Sequence, residues 1–480
     1  MEMERTGKQR CDGGLQIPQR PATTPAGAPA RFCEGAHAWR PAGSTSRLCE
    51  DAEAWRPADS LPETPLSGLR SRFRLDRHGG FESDSPMASV VFYFQVHQPF
   101  RLRRYTVFDS DPNYFDNRQN EQILRKVAAK CYLPTTRLIR ELVEEHEGRF
   151  RVSYSLTGVI LEQLERWAPD VLDDFIALAK TGCVEFAAET FYHSLAFLYN
   201  RDEFLDQTRL HCERMEALFG QRPRVFRNTE LTYNNDVARA VEDMGFDAIM
   251  TEGADHVLGY RSPNYVYTPP NCASLRMLLK NYRLSDDIAF RFGNRGWEGW
   301  PLTTEKFARW VDHINGNGYV CNLFMDYETF GEHQWADTGI FDFLRHLPGA
   351  VMSGGKNDFL TLSQAADRYP SAGEVDVPNM ISWADTERDI SAWLGNSMQA
   401  NALHDVYALA DEVLATGDEV LIDDWRKLQT SDHFYYMSTK YFADGDVHKY
   451  FNPYESPYDA YINYMNILDN VRARAAAARG

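Results

Sequence analysis

Apolar runs alternate with amphipathic helical patterns over most of this 480-residue chain. Seven runs after residue 87 have the length and the bounded ends of buried strands. They cover residues 89–96, 150–155, 184–188, 224–227, 246–250, 275–279 and 319–325. Helical patterns follow at 162–179 and 202–219, and a further helix, capped by Asn235, stops at Gly245. Because strands that alternate with helices form parallel sheets, the pattern predicts an α/β fold with a closed or nearly closed parallel barrel.

The strand signal ends near residue 390, and helical patterns cover residues 397–414, 418–428 and 456–478. A run of helices without strands is expected to pack as a separate layer or cap. The sequence therefore predicts a barrel domain over residues 87–390 and a helical C-terminal domain over residues 391–480.

The first 86 residues differ from the rest in composition and pattern. They hold 9 of the 23 prolines and 9 of the 31 glycines, and they contain a segment, RFCE…AWRPA, that recurs 16 residues later. Two copies are too few for a repeat architecture. We interpret residues 1–86 as a low-complexity, disordered extension, and the strand that starts directly after Met87 favours that methionine as the natural start.

Charge narrows the possible partners. The net charge is −18, and because residues 1–86 hold 12 basic and 12 acidic residues, the whole excess lies in residues 87–480. An acidic protein repels a polyanion, so nucleic acid is not expected as a partner.

Membrane and metal signals are also missing from the sequence. The sequence has no apolar run long enough to cross a membrane and no secretory signal, which predicts a cytoplasmic protein. The 8 cysteines form no CxxC pair, and the sequence predicts neither a structural metal nor a cofactor.

Polar residues close several of the predicted strands. Parallel barrels carry their active sites at the carboxyl ends of the strands, so these side chains are expected on one rim. They are His97, Glu185 with Glu189 and His193, Glu230, and Asp326 with Glu328.

Two of these positions stand out as chemical centres. Glu230 lies between a strand and a predicted helix, and Asp326 closes a strongly apolar strand and is followed by Glu328, Glu332 and His333. Two carboxyl groups that face each other across a cleft are the minimum equipment for hydrolysis of a glycosidic bond. Tryptophans in the loops are candidates for stacking on sugar rings. They are Trp297, Trp300, Trp335, Trp383 and Trp393.

Five short segments, in order along the chain, resemble the motifs of glycoside hydrolase family 57, the second α-amylase family. The segments begin at His97-Gln98-Pro99, at Gly182 (GCVEF), at Asn228 (NTE), at Asp326 (DYETFG) and at Trp383 (WADTERD). The resemblance covers most of residues 87–480 and none of residues 1–86.

The resemblance implies a (β/α)7 barrel followed by helices and a retaining reaction on α-1,4-glucans or malto-oligosaccharides. By transfer from the motifs, Glu230 is the nucleophile and Asp326 the acid/base. Residues expected to bind the substrate are His97, Glu185, His193, Trp383, Asp389, Asp432 and His433. Retention predicts that the two carboxyl groups lie about 5 to 6 Å apart.

Three alternatives stay open at this stage. The same glycosyl-enzyme supports a 4-α-glucanotransferase or a branching enzyme when a sugar hydroxyl replaces water. A metal-dependent barrel of the deacetylase or mannosidase type would use His97, Asp326 and His333 as ligands. A non-catalytic glucan-binding protein is the third, although both catalytic carboxylates are present.

Overall fold

The structure is a computed structural model that describes residues 87–440 and 452–479. The predicted extension over residues 1–86 therefore lies outside the described residues. Ten strands are present in the described part: β1 Ala88–Val96, β2 Val152–Leu156, β3 Val184–Phe186, β4 Val225–Arg227, β5 Ala248–Glu252, β6 Val266–Thr268, β7 Arg276–Lys280, β8 Val320–Asp326, β9 Asn357–Phe359 and β10 Ser371–Glu374.

Seven parallel strands close into a barrel. One sheet has the order β3-β2-β1-β8 and the other contains β7-β5-β4, each with parallel pairing. Backbone hydrogen bonds between Ala188 and β4 join the two sheets on one side. On the other side, the Asn281 N–H donates to the Asn322 carbonyl at 2.9 Å, which links the end of β7 to β8. The predicted parallel barrel is confirmed, and all seven predicted strands are present.

Helices cover the outside of the barrel. They are α1 Asn117–Val127, α2 Leu133–Glu145, α3 Gly158–Trp167, α4 Pro169–Ala179, α5 Arg201–Phe219, α6 Asn235–Asp243, α7 Asp255–Leu258, α8 Tyr282–Ala289, α9 Thr304–Asp312 and α10 Ile340–Met352. Helix α11, Leu362–Arg368, instead packs inside the barrel. A π-helical turn, Ala128–Tyr132, joins α1 to α2.

Two helix predictions need correction. The predicted helix over 162–179 is two helices, because the chain breaks at Ala168 and Pro169 opens α4. The helix after β4 is capped by Asn234 and not by Asn235, since the Asn234 side chain accepts from the Val237 N–H at 3.0 Å.

Strand residues alternate between the barrel interior and the helical layer. In β1, Val91 and Tyr93 belong to the inner cluster, whereas Phe92 and Phe94 pack against the surrounding helices. The short helix α11 fills the interior near the amino ends of the strands, where Leu362, Ala365 and Ala366 join the same inner cluster. The carboxyl ends of the strands consequently form the open end of the barrel.

The C-terminal part of the chain is helical. Its helices are α12 Ser391–Leu394, α13 Ser397–Ala408, α14 Ala410–Leu414, α15 Glu419–Lys427, α16 Ser431–Tyr435 and α17 Pro457–Arg479. They pack with α5, α6 and the outer faces of β4, β5 and β7 in one buried cluster that contains Trp425 and Tyr464. The boundary predicted near residue 390 stays a prediction. Among the described residues, we find no helix with the length and apolar character of a membrane span.

Candidate active site

A cavity of about 580 Å³ opens at the carboxyl ends of the barrel strands. Five strand ends or the loops after them contribute side chains to its wall, and so do segment 383–393 and helix α16. Of the nine residues predicted to be catalytic or to bind the substrate, six line this cavity: His97, His193, Glu230, Asp326, Trp383 and Asp432.

Glu230 reaches the cavity from a strained turn after β4. Its φ of 57° is left-handed, a conformation that costs a residue with a side chain free energy and that is common at functional sites. Both carboxylate oxygens are bound: Oε1 accepts from Ser431 at 3.0 Å and lies 3.2 Å from His193 Nε2, and Oε2 accepts from the indole N–H of Trp383 at 2.8 Å. These contacts fix the direction of the carboxylate.

His193 connects Glu230 to a second, fully buried carboxylate. Its Nδ1 lies 3.0 Å from Glu189 and its Nε2 lies 3.2 Å from Glu230. Burial alone would lower the pKa of His193, but the hydrogen bonds and charges of the two carboxylates raise it to about 9. Burial would likewise raise the pKa of Glu230, and His193 and then Arg227 lower it instead. The site therefore holds Glu230 ionised beside an imidazolium.

Two cations contact the face of Trp383. The Arg227 guanidinium lies 4.9 Å and the Lys280 ammonium 5.2 Å from the ring centroid. Arg227 is fully buried and pairs with Glu189 at 3.6 Å, although its guanidinium nitrogens have no hydrogen-bond partner among the residues that the structure describes. The two cations hold the indole that donates to Glu230.

Asp326 closes β8 and faces the same cavity. It continues the inward positions of that strand after Phe324, so strand alternation directs its side chain to the interior. Burial, followed by the charge of Glu230, raises the pKa of Asp326 to about 6, although Arg227 and Lys280 act in the opposite direction. The two carboxyl groups thus have opposite pKa shifts, which makes one a base or nucleophile and the other an acid.

His97 and Asp432 form the wall beside His193. The rings of His97 and His193 stack at 4.0 Å, and His97 Nε2 lies 2.9 Å from Asp432 while Nδ1 lies 2.9 Å from the Thr157 hydroxyl. Burial and the neighbouring His193 hold the pKa of His97 below its usual range. Despite burial, His97 holds the pKa of the Asp432 carboxyl well below its usual range.

Glu328 is a third buried carboxyl in the cavity wall. Burial and then Asp326 raise the pKa of Glu328 to about 8, and its Oε1 accepts from the Tyr132 hydroxyl and from Gln98 at 3.3 Å. It is therefore protonated at neutral pH. Its position two residues after Asp326 is the sequence signal that marks it.

Three predicted site residues lie elsewhere. Glu185 points into the barrel near α11, where it accepts from the Ser363 N–H at 2.9 Å. Along β3 and the residues after it, every second side chain points inward, and these are Glu185, Ala187 and Glu189. Glu185 therefore lies on the closed side of Ala187, away from the open end of the barrel, and Glu189 lies on the other side. Glu189, which the sequence placed in the same group, is fully buried behind the cavity wall and reaches the site through its contact with His193.

Asp389 and His433 do not line the cavity either. Asp389 accepts from the Ser391 N–H at 2.8 Å, as in a local turn. His433 follows Asp432 on α16, and because successive helical residues point about 100° apart, it packs against Tyr464 in the helical core.

One group in the described residues has the spacing of a metal site: His97, His193 and Asp432, whose ligand atoms lie within 4.8 Å of one another. It is not the predicted trio of His97, Asp326 and His333. Each ligand atom already has a protein partner, and a metal at His193 Nε2 would displace its hydrogen bond to Glu230. The donor set therefore fits a hydrogen-bond network better than a cation site.

Comparisons with known proteins identify the family of the chain. The family model of Glycosyl hydrolase family 57 matches residues 91–378. The "Putative alpha-amylase" of Methanocaldococcus jannaschii is 44% identical over 393 residues, which is 79% of this chain and 83% of that protein.

Solved structures share the fold at low identity. The GH57-type branching enzyme of Pyrococcus horikoshii is 16% identical, with a TM-score of 0.58 and coverage of 80% of this chain and 88% of that one. The 4-alpha-glucanotransferase of Thermococcus litoralis is also 16% identical, with a TM-score of 0.57 over 72% of this chain. This chain spans only 56% of that transferase. The alpha-amylase AmyC of Thermotoga maritima is 13% identical, with a TM-score of 0.55 and coverage of 82% and 94%.

Proposed function

The chain belongs to glycosyl hydrolase family 57, and on that premise we propose that it cleaves α-1,4-glucans with retention, through a glycosyl-enzyme intermediate. The observation that carries the proposal is the pair of cavity carboxyl groups with opposite pKa shifts. Glu230 has a lowered pKa and Asp326 a pKa of about 6, so near pH 5 one is ionised while the other keeps its proton.

In the first step, the Glu230 carboxylate attacks the anomeric carbon and the bond to the glycosidic oxygen breaks. Asp326 gives its proton to that oxygen, so the leaving sugar departs as a neutral alcohol. The negative charge of the pair moves from Glu230 to Asp326. The charge of the buried Arg227 acts to lower the pKa of both carboxyl groups. Arg227 therefore favours the ionised form of either carboxyl group, together with His193 and, at Asp326, Lys280.

In the second step, the Asp326 carboxylate takes a proton from water while the water oxygen attacks the same anomeric carbon. The ester to Glu230 breaks, and Glu230 returns to a carboxylate that His193, Ser431 and Trp383 are placed to receive. Two displacements at one carbon restore the original configuration.

The wall made by His97, His193 and Asp432 is suited to the sugar whose bond is cleaved. Asp432 offers carboxylate lone pairs to its hydroxyls beside the contact with His97, and the stacked rings of His97 and His193 fix the shape of this part of the wall. Because these groups are held by partners before the sugar arrives, little ordering entropy is lost on binding. We assign the glucose unit on the non-reducing side of the cleaved bond to this wall.

Hydrolysis is our first choice for the fate of the glycosyl-enzyme, since the relative that is 44% identical is named an alpha-amylase. Transfer to a sugar hydroxyl remains the second candidate, because both transferring and hydrolysing enzymes share this fold. Incubation with maltoheptaose separates the two: only shorter oligosaccharides indicate an amylase, and longer ones indicate a transferase.

The catalytic assignment needs matched variants. Glu230→Gln and Asp326→Asn are expected to lose nearly all turnover of maltoheptaose. Asp389→Asn changes a carboxylate of the WADTERD segment that lies outside the cavity, and it is expected to retain turnover. If Glu230→Gln kept wild-type turnover, the assignment of the nucleophile would be wrong.

The expected substrates are uncharged α-glucans or malto-oligosaccharides, and an uncharged substrate does not require a binding site for a polyanion. A cytoplasmic location is part of the same proposal. Fractionation of cells of the natural host, with activity on maltoheptaose as the marker, tests it.

A further inference from the structure

Two aromatic side chains stand exposed on two connected loops, here called the rim: one ring lines the cavity mouth, and the other directly follows a segment that lines the cavity. Phe290 lines the cavity mouth and is 54% exposed, and Trp335, two residues after the cavity-lining His333, is 56% exposed. Most aromatic rings of the described residues are buried or half-buried, so exposed rings at the mouth of a sugar site call for an explanation.

The two rings belong to one connected rim. The Gln334 side chain donates to the Ala289 carbonyl at 2.8 Å and accepts from the Gly293 N–H at 3.0 Å. It thereby joins the loop that carries Phe290 to the loop that carries Trp335. Neither ring can move far from the other without breaking these buried hydrogen bonds.

The loop before Trp335 is also fixed against the barrel wall. The Gly331 N–H donates to the Gln334 carbonyl at 2.9 Å, and Gly331 adopts a φ of 115° with no room for a side chain, because a Cβ would lie 2.0 Å from the Lys130 carbonyl. The Lys130 ammonium lies 5.5 Å from the Trp335 ring centroid. The ring is thus held in place before a ligand arrives, which lowers the entropic cost of binding.

We propose that Phe290 and Trp335 form an acceptor-side platform that binds glucose units of the α-glucan on the reducing side of the cleaved bond. The proposal rests on the function proposed above. Flat aromatic faces suit the apolar C–H faces of pyranose rings. Two rings give far less area than a stable protein interface needs. Phe290 lines the cavity and Gln334 connects its loop to that of Trp335, so a sugar chain that leaves the cavity is the occupant that fits.

The side of the cavity follows from the chemistry of Asp326. An acid must lie next to the oxygen that leaves, so the leaving sugar is on the side of Asp326. The segment directly after Asp326 supplies Thr329 and His333 to the cavity wall and ends at Trp335. His193 and Asp432, by contrast, surround Glu230 on the other part of the wall. Phe290 and Trp335 therefore extend the leaving-group side.

The test compares a substrate that has acceptor-side sugars with one that has none. Maltoheptaose fills both sides of the cleaved bond, whereas α-maltosyl fluoride leaves fluoride there and does not reach the platform. For Trp335→Ala and Phe290→Ala, we expect the ratio of kcat/KM on maltoheptaose to that on α-maltosyl fluoride to fall about tenfold, the loss of one ring stack. Tyr458→Ala, which removes a ring that is 64% exposed on α17, should leave the ratio unchanged.

Two results would overturn the platform. They are an unchanged ratio in both rim variants, or an equal fall on both substrates. Thermal unfolding of each variant shows whether the fold is intact, and the ratio is independent of the fraction of active enzyme. Failure of the proposed function is a different result, since wild-type protein would then turn over neither substrate.

Discussion

His193 provides the sharpest test of how the protein sets the charge of its nucleophile. The imidazolium lies between Glu189 and Glu230, at 3.0 and 3.2 Å, and it has a left-handed backbone with a φ of 52°. Asparagine tolerates that conformation better than most residues, so His193→Asn removes the charge with the least backbone strain. Glu189 keeps Arg227, Gln95 and Ser155 as partners, which should preserve the fold.

The size of the effect follows from the lost contact. A hydrogen bond to a charged group contributes about 1.5–3 kcal/mol. At about 1.4 kcal/mol per pKa unit, its loss raises the pKa of Glu230 by about one to two units. The carboxylate form is the reactive one, so the acid limb of the pH profile should move to higher pH by the same amount.

The assay is kcat/KM for α-maltosyl fluoride between pH 3 and pH 8. Fluoride leaves with little help from an acid, so the acid limb reports on Glu230 and not on Asp326. At pH values below the acid limb, we expect kcat/KM of His193→Asn to be about 10- to 100-fold lower than that of the wild type. The activity of the variant should recover as the pH rises. His404→Asn, at an exposed histidine on α13, is the control. An acid limb that stays at the wild-type pH in His193→Asn would refute the argument.

Three further predictions concern other parts of the structure. Asp326→Ala should lower kcat/KM on maltoheptaose by about 10²- to 10⁴-fold and spare kcat/KM on α-maltosyl fluoride, because fluoride needs no acid to leave in the first step; in the wild type, kcat/KM on maltoheptaose should fall as the pH rises through about 6, where Asp326 loses its proton. Gly331→Ala should destabilise the protein by more than about 2 kcal/mol in urea unfolding, because its Cβ would overlap the Lys130 carbonyl and its φ is left-handed; no loss of stability would contradict the packing described. Glu185→Gln should keep wild-type kcat/KM on maltoheptaose and cost about 1 kcal/mol of stability through the weaker cap on α11; a large loss of activity with normal stability would return Glu185 to the active site.

The barrel was predictable because the apolar pattern of each strand, and the polar residues at its end, are visible in a short stretch of sequence. Five of the seven barrel strands, or the loops after them, contribute to the cavity wall, and Glu230 and Asp326 could be selected because they follow apolar runs. Glu185 was proposed from the motif resemblance although it lies inside the predicted strand 184–188, and the structure places it on the closed side of Ala187. Counting inward positions from Ala187 would have selected Glu189, since side chains alternate strictly along a strand.

Other features depend on contacts that distant parts of the chain make. Arg227 reads as an ordinary charged residue at the end of a strand, and only the closed barrel brings it to Glu189 and to the ring of Trp383. The short helix α16 was not predicted, so Asp432 could be proposed from polarity but not separated from His433. Helix α11 has the pattern of any amphipathic helix, and nothing local shows that it fills the barrel.

The configuration of the first product is the most direct measurement of the central claim. Proton NMR of maltoheptaose hydrolysis in its first minutes, faster than the sugar mutarotates, shows which anomer is released. Two displacements at Glu230 and Asp326 predict the α-anomer, which then converts slowly to the equilibrium mixture. Initial release of the β-anomer would mean a single displacement by water, and Glu230 would then not be a nucleophile.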